Sequence, residues 1–257
     1  MAQRVSNPSL AKGIGRSLRL YYGDADRADR MAALYGHFLG PDSLAFDIGA
    51  HVGDRTLAFR RLGARVVAVE PQPMAHRALR LIHGRDAGVT LSRSAVGAAA
   101  GEAEMQINSA NPTVSTLSSG FLASTKTAIG WEGQVWDRRE TVPVVTLDAL
   151  IAQHGRPDFI KIDVEGMEDA VLAGLSQPVK ALSFEITTAH LTSGLRALER
   201  TSQLGQYVFA FSLGEALDPE ATGWTDAAEM ASHLRSLPEA ANSGDVYARL
   251  VPAEPAR

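Results

Sequence analysis

The stretch from Leu44 to Ser92 restricts the fold of this chain more than any other, because its hydrophobic period alternates there between strand and helix. SLAFDI is a short, largely buried strand, and IGAHVGDRTLAFRRLG is a tight turn feeding a helix. ARVVAVE makes a second strand after Gly63. PQPMAHRALRLIHG makes a second helix, with Pro71 and Pro73 tolerable only near its start, and GVTLS makes a third strand. Strands separated by helices in this way pair in parallel, so a parallel sheet with covering helices is expected.

The alternation resumes at PDFIKIDVEG, where Phe159 to Ile162 form a fourth strand and a helix starts near Gly166. ALSFEI is the fifth strand, SGLRALERTSQLG a helix, QYVFAFS the sixth strand and DVYARLV the last. The expected class is α/β: a doubly wound, mixed sheet with a largely parallel core and an antiparallel late strand.

Residues 1–25 read as an N-terminal arm, since their periodic signal is weak and Gly13 and Gly15 suit an extended or mobile segment. Residues 26–257 read as one domain. It opens with a helical face of Met31, Leu34, Tyr35 and Phe38. Near residues 98–145 the alternation is interrupted by an inserted lid or edge segment. GEAEMQI is an extra strand there and VPVVTL its antiparallel partner, while the long stretch through Trp131 and Trp136 is a candidate loop over the site.

Composition removes several function classes. With no cysteine among 257 residues, disulfides, thiolate nucleophiles and cysteine-held metals are excluded. The formal net charge of -4 gives no global electrostatic reason to expect nucleic acid as a partner. No apolar run has the form of a signal peptide or the length of a membrane span, and a cytoplasmic location is expected. Oligomeric state is not legible.

The first strand runs into Asp47-Ile48-Gly49-Ala50-His51-Val52-Gly53. Gly49 can bring backbone close to a ligand, Gly53 permits close packing at the helix start, and Asp47 can accept a hydrogen bond from a cationic amino group. The second strand ends in Glu70, where a carboxylate can accept both hydroxyl hydrogens of a ribose lying across the two strand ends. A nicotinamide dinucleotide normally calls for G-x-G-x-x-G around its pyrophosphate. Here His51 stands between Gly49 and Gly53, and the looser pattern with Asp47 nearby favours S-adenosylmethionine.

FDIGAHVGDRTLAF, AVEPQPMAHRAL and VTLDALIAQHGRPDFIKIDVEGMEDAVLAGL followed by LSFEI resemble, in order and spacing, successive motifs of the FkbM family of methyltransferases. The resemblance covers roughly residues 44 to 186. It implies a seven-stranded methyltransferase fold, S-adenosylmethionine as cofactor, and O-methylation of a hydroxyl on a sugar or secondary metabolite. It puts Asp47, Gly49 and Gly53 at the cofactor turn, Glu70 beside the ribose, and Ser94 and the Ala95 backbone near adenine. Asp163, Glu165, Gly166 and Glu168 match its later acidic motif, and Glu185 closes the next strand. His51 stands where many relatives have asparagine, and Met167 where histidine is frequent. A noncatalytic S-adenosylmethionine- or nucleoside-binding module is the alternative.

Ligands of a doubly wound sheet occupy the crevice at the carboxyl ends of its strands. Alternation puts Lys161 and Asp163 on one side of the fourth strand. Asp163 and Glu185 are therefore the candidates for orienting an acceptor hydroxyl or taking its proton, with His190 as a secondary base and His51 as a cofactor-turn residue. His154 reads as lying on a solvent-facing connection. Two carboxylates alone make a poor oxygen-rich cation site, so no metal is expected. The hydroxyl-rich NPTVSTLSSGF and the two tryptophans either shape an acceptor site or simply form turns and anchors.

Overall fold

The computed structural model describes residues 8–219 and 222–252. Its central sheet has seven strands. They are β1 (Leu44–Ile48), β2 (Arg65–Val69), β3 (Val89–Ser92), β7 (Phe159–Ile162), β8 (Ala181–Thr187), β9 (Tyr207–Leu213) and β10 (Ser243–Leu250), in the order β3-β2-β1-β7-β8-β10-β9. β1 pairs in parallel with β2 and β7, β2 with β3, and β7 with β8. The last strand, β10, inserts antiparallel between β8 and β9. The strand order reverses direction between β1 and β7, which opens the crevice that such sheets use for ligands.

β1 and β7 are buried throughout because helices cover both faces of the sheet. On one face Phe46, Ile160, Ile162 and Phe184 pack under α6 (Leu147–His154), α7 (Glu168–Ala173), α8 (Leu191–Leu204) and α9 (Ala227–Ser236). On the other, Ala45, Val66, Phe159 and Tyr247 meet α2 (Ala25–Tyr35), α3 (Asp54–Arg61) and α4 (Pro73–His83). Asp24 caps α2 by accepting from the Arg27 amide. Phe38 lies beyond the end of α2 yet joins the same cluster, its ring 4.9 Å from Phe159.

Two expectations change. Within residues 1–25, read as an extended or mobile arm, Pro8–Tyr22 form a helix, α1, with Leu10 and Ile14 buried, while residues 1–7 lie outside the described residues. Gly13 is small because of packing: a Cβ there would stand 2.5 Å from Pro112 Cδ. The insertion carries a sheet of its own, in which β6 (Arg138–Val145) lies between β4 (Ala95–Val96) and an antiparallel β5 (Gly101–Ile107). The extra strand and its antiparallel partner were expected, whereas β4 and the short helix α5 (Ser119–Thr125) were not. Among the described residues no helix is long and apolar enough to cross a membrane.

Candidate active site

β1 ends in Asp47 and Ile48, and the chain turns back at Gly49, whose φ is +82°. The Gly49 and Ala50 amides donate to the Val69 carbonyl of β2, and the Asp163 amide donates to Ile48. These bonds bring the carboxyl ends of β1, β2 and β7 into one cavity that opens to solvent. Asp47, Gly49, His51, Glu70, Ser94, Ala95, Asp163 and Glu185 all line it. Gly53 does not. It starts α3 at φ +87°, where a Cβ would stand 2.5 Å from Leu79 Cδ1, so its smallness serves helix packing.

Asp47 is buried and accepts a 2.5 Å hydrogen bond from the Thr56 hydroxyl. Burial raises its pKa to about 6, against the pull of that bond. Glu70 accepts from the His51 amide on Oε2 (2.8 Å) and from the Gln72 amide on Oε1 (2.7 Å). Burial raises it to about 7, with the two amides opposing. Each carboxylate oxygen keeps a lone pair for a further donor. His51 itself has φ +47°, and burial lowers its pKa to about 4, so the ring is neutral at physiological pH. Its Nε2 is buried with no partner among the described residues.

Across the crevice, one carboxylate oxygen from each of Asp163, Glu165 and Glu185 lies within 4.8 Å of the others. Burial raises the Glu165 and Glu185 carboxyls well above the usual range, and the Asp163 charge adds to the effect. Beside them Lys161 is 1% exposed, its Nζ 3.4 Å from Asp163 Oδ2 and 2.7 Å from Asp245 Oδ1. Burial works against this ammonium, but Asp163 and Asp245 outweigh it and hold the charge. Glu168 stands behind the cavity. It accepts from the Val164 and Gly166 amides and the Ser193 hydroxyl at the start of α7.

His190 does not join the carboxylates. It sits in a 3-10 turn, Thr188–His190, with its ring against Phe121 and Nδ1 3.1 Å from the Ser124 hydroxyl, outside the cavity lining. His154 ends α6, also away from the cavity. Trp131 and Trp136 anchor the insertion, their indole nitrogens donating to Asn242 Oδ1 and the Val114 carbonyl. Neither lines the cavity, whereas Ser115 and Thr116 of the hydroxyl-rich segment do. Sequence reasoning missed Tyr21, Asp54, Arg55 and Glu215 in the lining, and Asp245 behind it. Asp54 and Arg55 directly follow the glycine turn, but nothing in their type marks them. The others come from distant segments.

A seven-stranded sheet with its last strand antiparallel between two neighbours, and acidic residues ending its first two central strands, defines a methyltransferase of the S-adenosylmethionine-dependent fold. Residues 47–236 match the Methyltransferase FkbM domain, and the chain belongs to that family. It is similar in fold to the TehB-like SAM-dependent methyltransferase from Corynebacterium glutamicum (9% identity, TM-score 0.49, covering 95% of this chain and 100% of that one). It is also similar to the O-methyltransferase from Bacillus cereus in complex with SAH (12%, TM-score 0.47, 96% and 93%). A third is the precorrin-6y C5,15-methyltransferase from Geobacter metallireducens (13%, TM-score 0.45, 88% and 87%). No curated protein matches the chain.

Proposed function

We propose that this enzyme transfers a methyl group from S-adenosylmethionine to a hydroxyl oxygen of a small molecule, a sugar or a secondary metabolite. The observation that carries the reading is the convergence, on one cavity, of the Asp47–Glu70 strand ends with the carboxylates of Asp163 and Glu185. The residues fit the cofactor. Glu70 has one free lone pair on each oxygen for the two ribose hydroxyls. Asp47 and the turn at Gly49 and His51 surround the amino acid portion, Ser94 and Ala95 flank adenine, and Gly53 supports the turn from behind. When bound, the cofactor supplies a methyl carbon already activated by its sulfonium.

The chain's own task is to align the acceptor oxygen, exclude water and remove a proton. Asp163 takes the proton from the acceptor hydroxyl. Glu185, its carboxyl raised well above the usual range by burial and the Asp163 charge, orients the acceptor through a hydrogen bond. Lys161 holds Asp163 in place from the side of the sheet. No step uses a metal.

Calorimetry with S-adenosylhomocysteine tests the cofactor half. Glu70→Ala, still folded, weakens binding by about tenfold or more if the ribose hydroxyls lose two charge-assisted bonds. Equal binding by the variant removes Glu70 from the ribose.

A further inference from the structure

Arg55, Tyr21 and Glu215 line the same cavity as Glu70 and Asp163, yet have no part in the reaction as described. Arg27, buried in α2 beneath Tyr21, and Arg55, in the first turn of α3, point one nitrogen each at the same oxygen: Arg27 Nη1 and Arg55 Nη1 lie 2.8 and 2.7 Å from Asp54 Oδ2. Their other terminal nitrogens converge on Glu215: Arg27 Nη2 donates to Oε2 at 3.1 Å, and Arg55 Nη2 lies 3.2 Å from each of the two carboxylate oxygens.

The two carboxylates differ in kind. Asp54 is buried within a helix and is a fixed partner. Glu215 comes from the connection between β9 and α9, and its side chain is 52% exposed. With Asp54 alone, two guanidinium groups keep one uncompensated charge at a cavity wall where the Arg55 side chain is only 11% exposed. The Arg55 Nε is buried as well, with no hydrogen-bond partner among the described residues. Arg55 thus keeps a donor that neither Asp54 nor Glu215 satisfies, and Glu215 recovers water on leaving.

We infer that Arg27 and Arg55 form a carboxylate-binding subsite of this cavity, and that Glu215 occupies it as an internal stand-in until a ligand carboxylate displaces it. The inference rests on the cavity being the site of cofactor and acceptor. The planar guanidinium fork matches a carboxylate in two-point contact, which a lysine pair would not do. Two ligands can bring such a group: the amino acid end of the cofactor, or an acidic acceptor.

Calorimetry on wild type, Glu215→Gln and Arg55→Met separates the sources. The probes are S-adenosylhomocysteine, methylthioadenosine, which lacks the amino acid carboxylate, and malonate, titrated with and without S-adenosylhomocysteine. If the carboxylate is the cofactor's, Glu215→Gln tightens S-adenosylhomocysteine binding several-fold, Arg55→Met weakens it by about tenfold, and methylthioadenosine responds to neither. If it is the acceptor's, both nucleosides are indifferent, and malonate binds Glu215→Gln more tightly than wild type and is lost in Arg55→Met. Glu215 lies on an exposed connection, so its variant reads the subsite even if Arg55→Met fails to fold. The inference is overturned if Glu215→Gln changes neither S-adenosylhomocysteine nor malonate binding. Failure of wild type to bind either nucleoside would instead refute the cofactor reading, and malonate alone then still reads the arginine pair.

Discussion

Gly49 and the carbonyl of Asp163 are in such close apposition that a Cβ on Gly49 would stand 1.8 Å from the Asp163 oxygen. The turn around the cofactor and the strand end carrying the proposed proton acceptor are therefore one packed unit, joined further by the hydrogen bond that the Asp163 amide donates to the Ile48 carbonyl. Glycine at this position is demanded twice, by its φ of +82° and by the backbone it touches.

Gly49→Ala should consequently damage stability and function together. The left-handed backbone alone costs about 1–3 kcal/mol, and the overlap with a main-chain carbonyl cannot be relieved by a rotamer change. Urea denaturation should show at least that loss, and S-adenosylhomocysteine should bind the variant more weakly. A variant as stable as wild type would mean that the two strand ends are not locked.

Asp47 predicts an inverted pH response. Burial raises its carboxyl from 3.8 to about 6, so the folded state holds the proton more tightly than the unfolded chain. The stability this contributes is full below pH 3.8 and is lost as pH rises through about 6. Asp47→Asn, which can still accept from Thr56, should be more stable than wild type at pH 8, by on the order of 1–3 kcal/mol. At pH 4 the advantage should vanish, and at pH 8 the variant should bind S-adenosylhomocysteine less well. Denaturation curves at the two pH values check the sign.

The ion pair of Lys161 with Asp245 is buried on both sides. Lys161→Met strands the Asp245 carboxylate and should cost about 3–5 kcal/mol. Lys161→Met combined with Asp245→Leu should recover much of that stability without recovering methyl transfer, because Lys161 also holds Asp163. A double variant that regains activity would show that Lys161 acts on the fold alone.

Chelation tests the carboxylate cluster. Asp163, Glu165 and Glu185 offer three oxygens of the kind a hard divalent cation accepts. Lys161 sets a positive charge beside them, and burial raises the Glu165 and Glu185 carboxyls well above their usual range, which disfavours three full negative charges there. Methyl transfer should therefore persist in EDTA. Loss of activity in EDTA, restored by added magnesium, would make the cluster a cation site.

The legible parts of the molecule are those where local pattern and tertiary role coincide. β1 and β7 are covered on both faces, which makes each a nearly continuous apolar run, and their acidic ends Asp47 and Asp163 travel with them to one edge. Gly13 illustrates the opposite case: as a residue it reads as freedom, whereas in the fold it lets α1 lie against Pro112. That helix then brings Tyr21 to the cavity. Glu215 and Asp245 are likewise placed by the packing order of β9 and β10, which no neighbouring residue encodes. His190 follows Glu185 closely in sequence, but the 3-10 turn after β8 carries its ring to Phe121 and Ser124.

Methyl transfer to oxygen with Asp163 as proton acceptor is read out by product analysis with methyl-labelled S-adenosylmethionine across a panel of hydroxylated sugars and secondary metabolites. The expected result is one S-adenosylhomocysteine formed for each labelled methyl ether. Asp163→Asn should lower kcat by roughly 10²–10⁴-fold, while His190→Ala, outside the cavity, should leave turnover largely intact. Label on a nitrogen or carbon, unimpaired turnover by Asp163→Asn, or cofactor binding without turnover across the whole panel would rule out O-methyl transfer through Asp163.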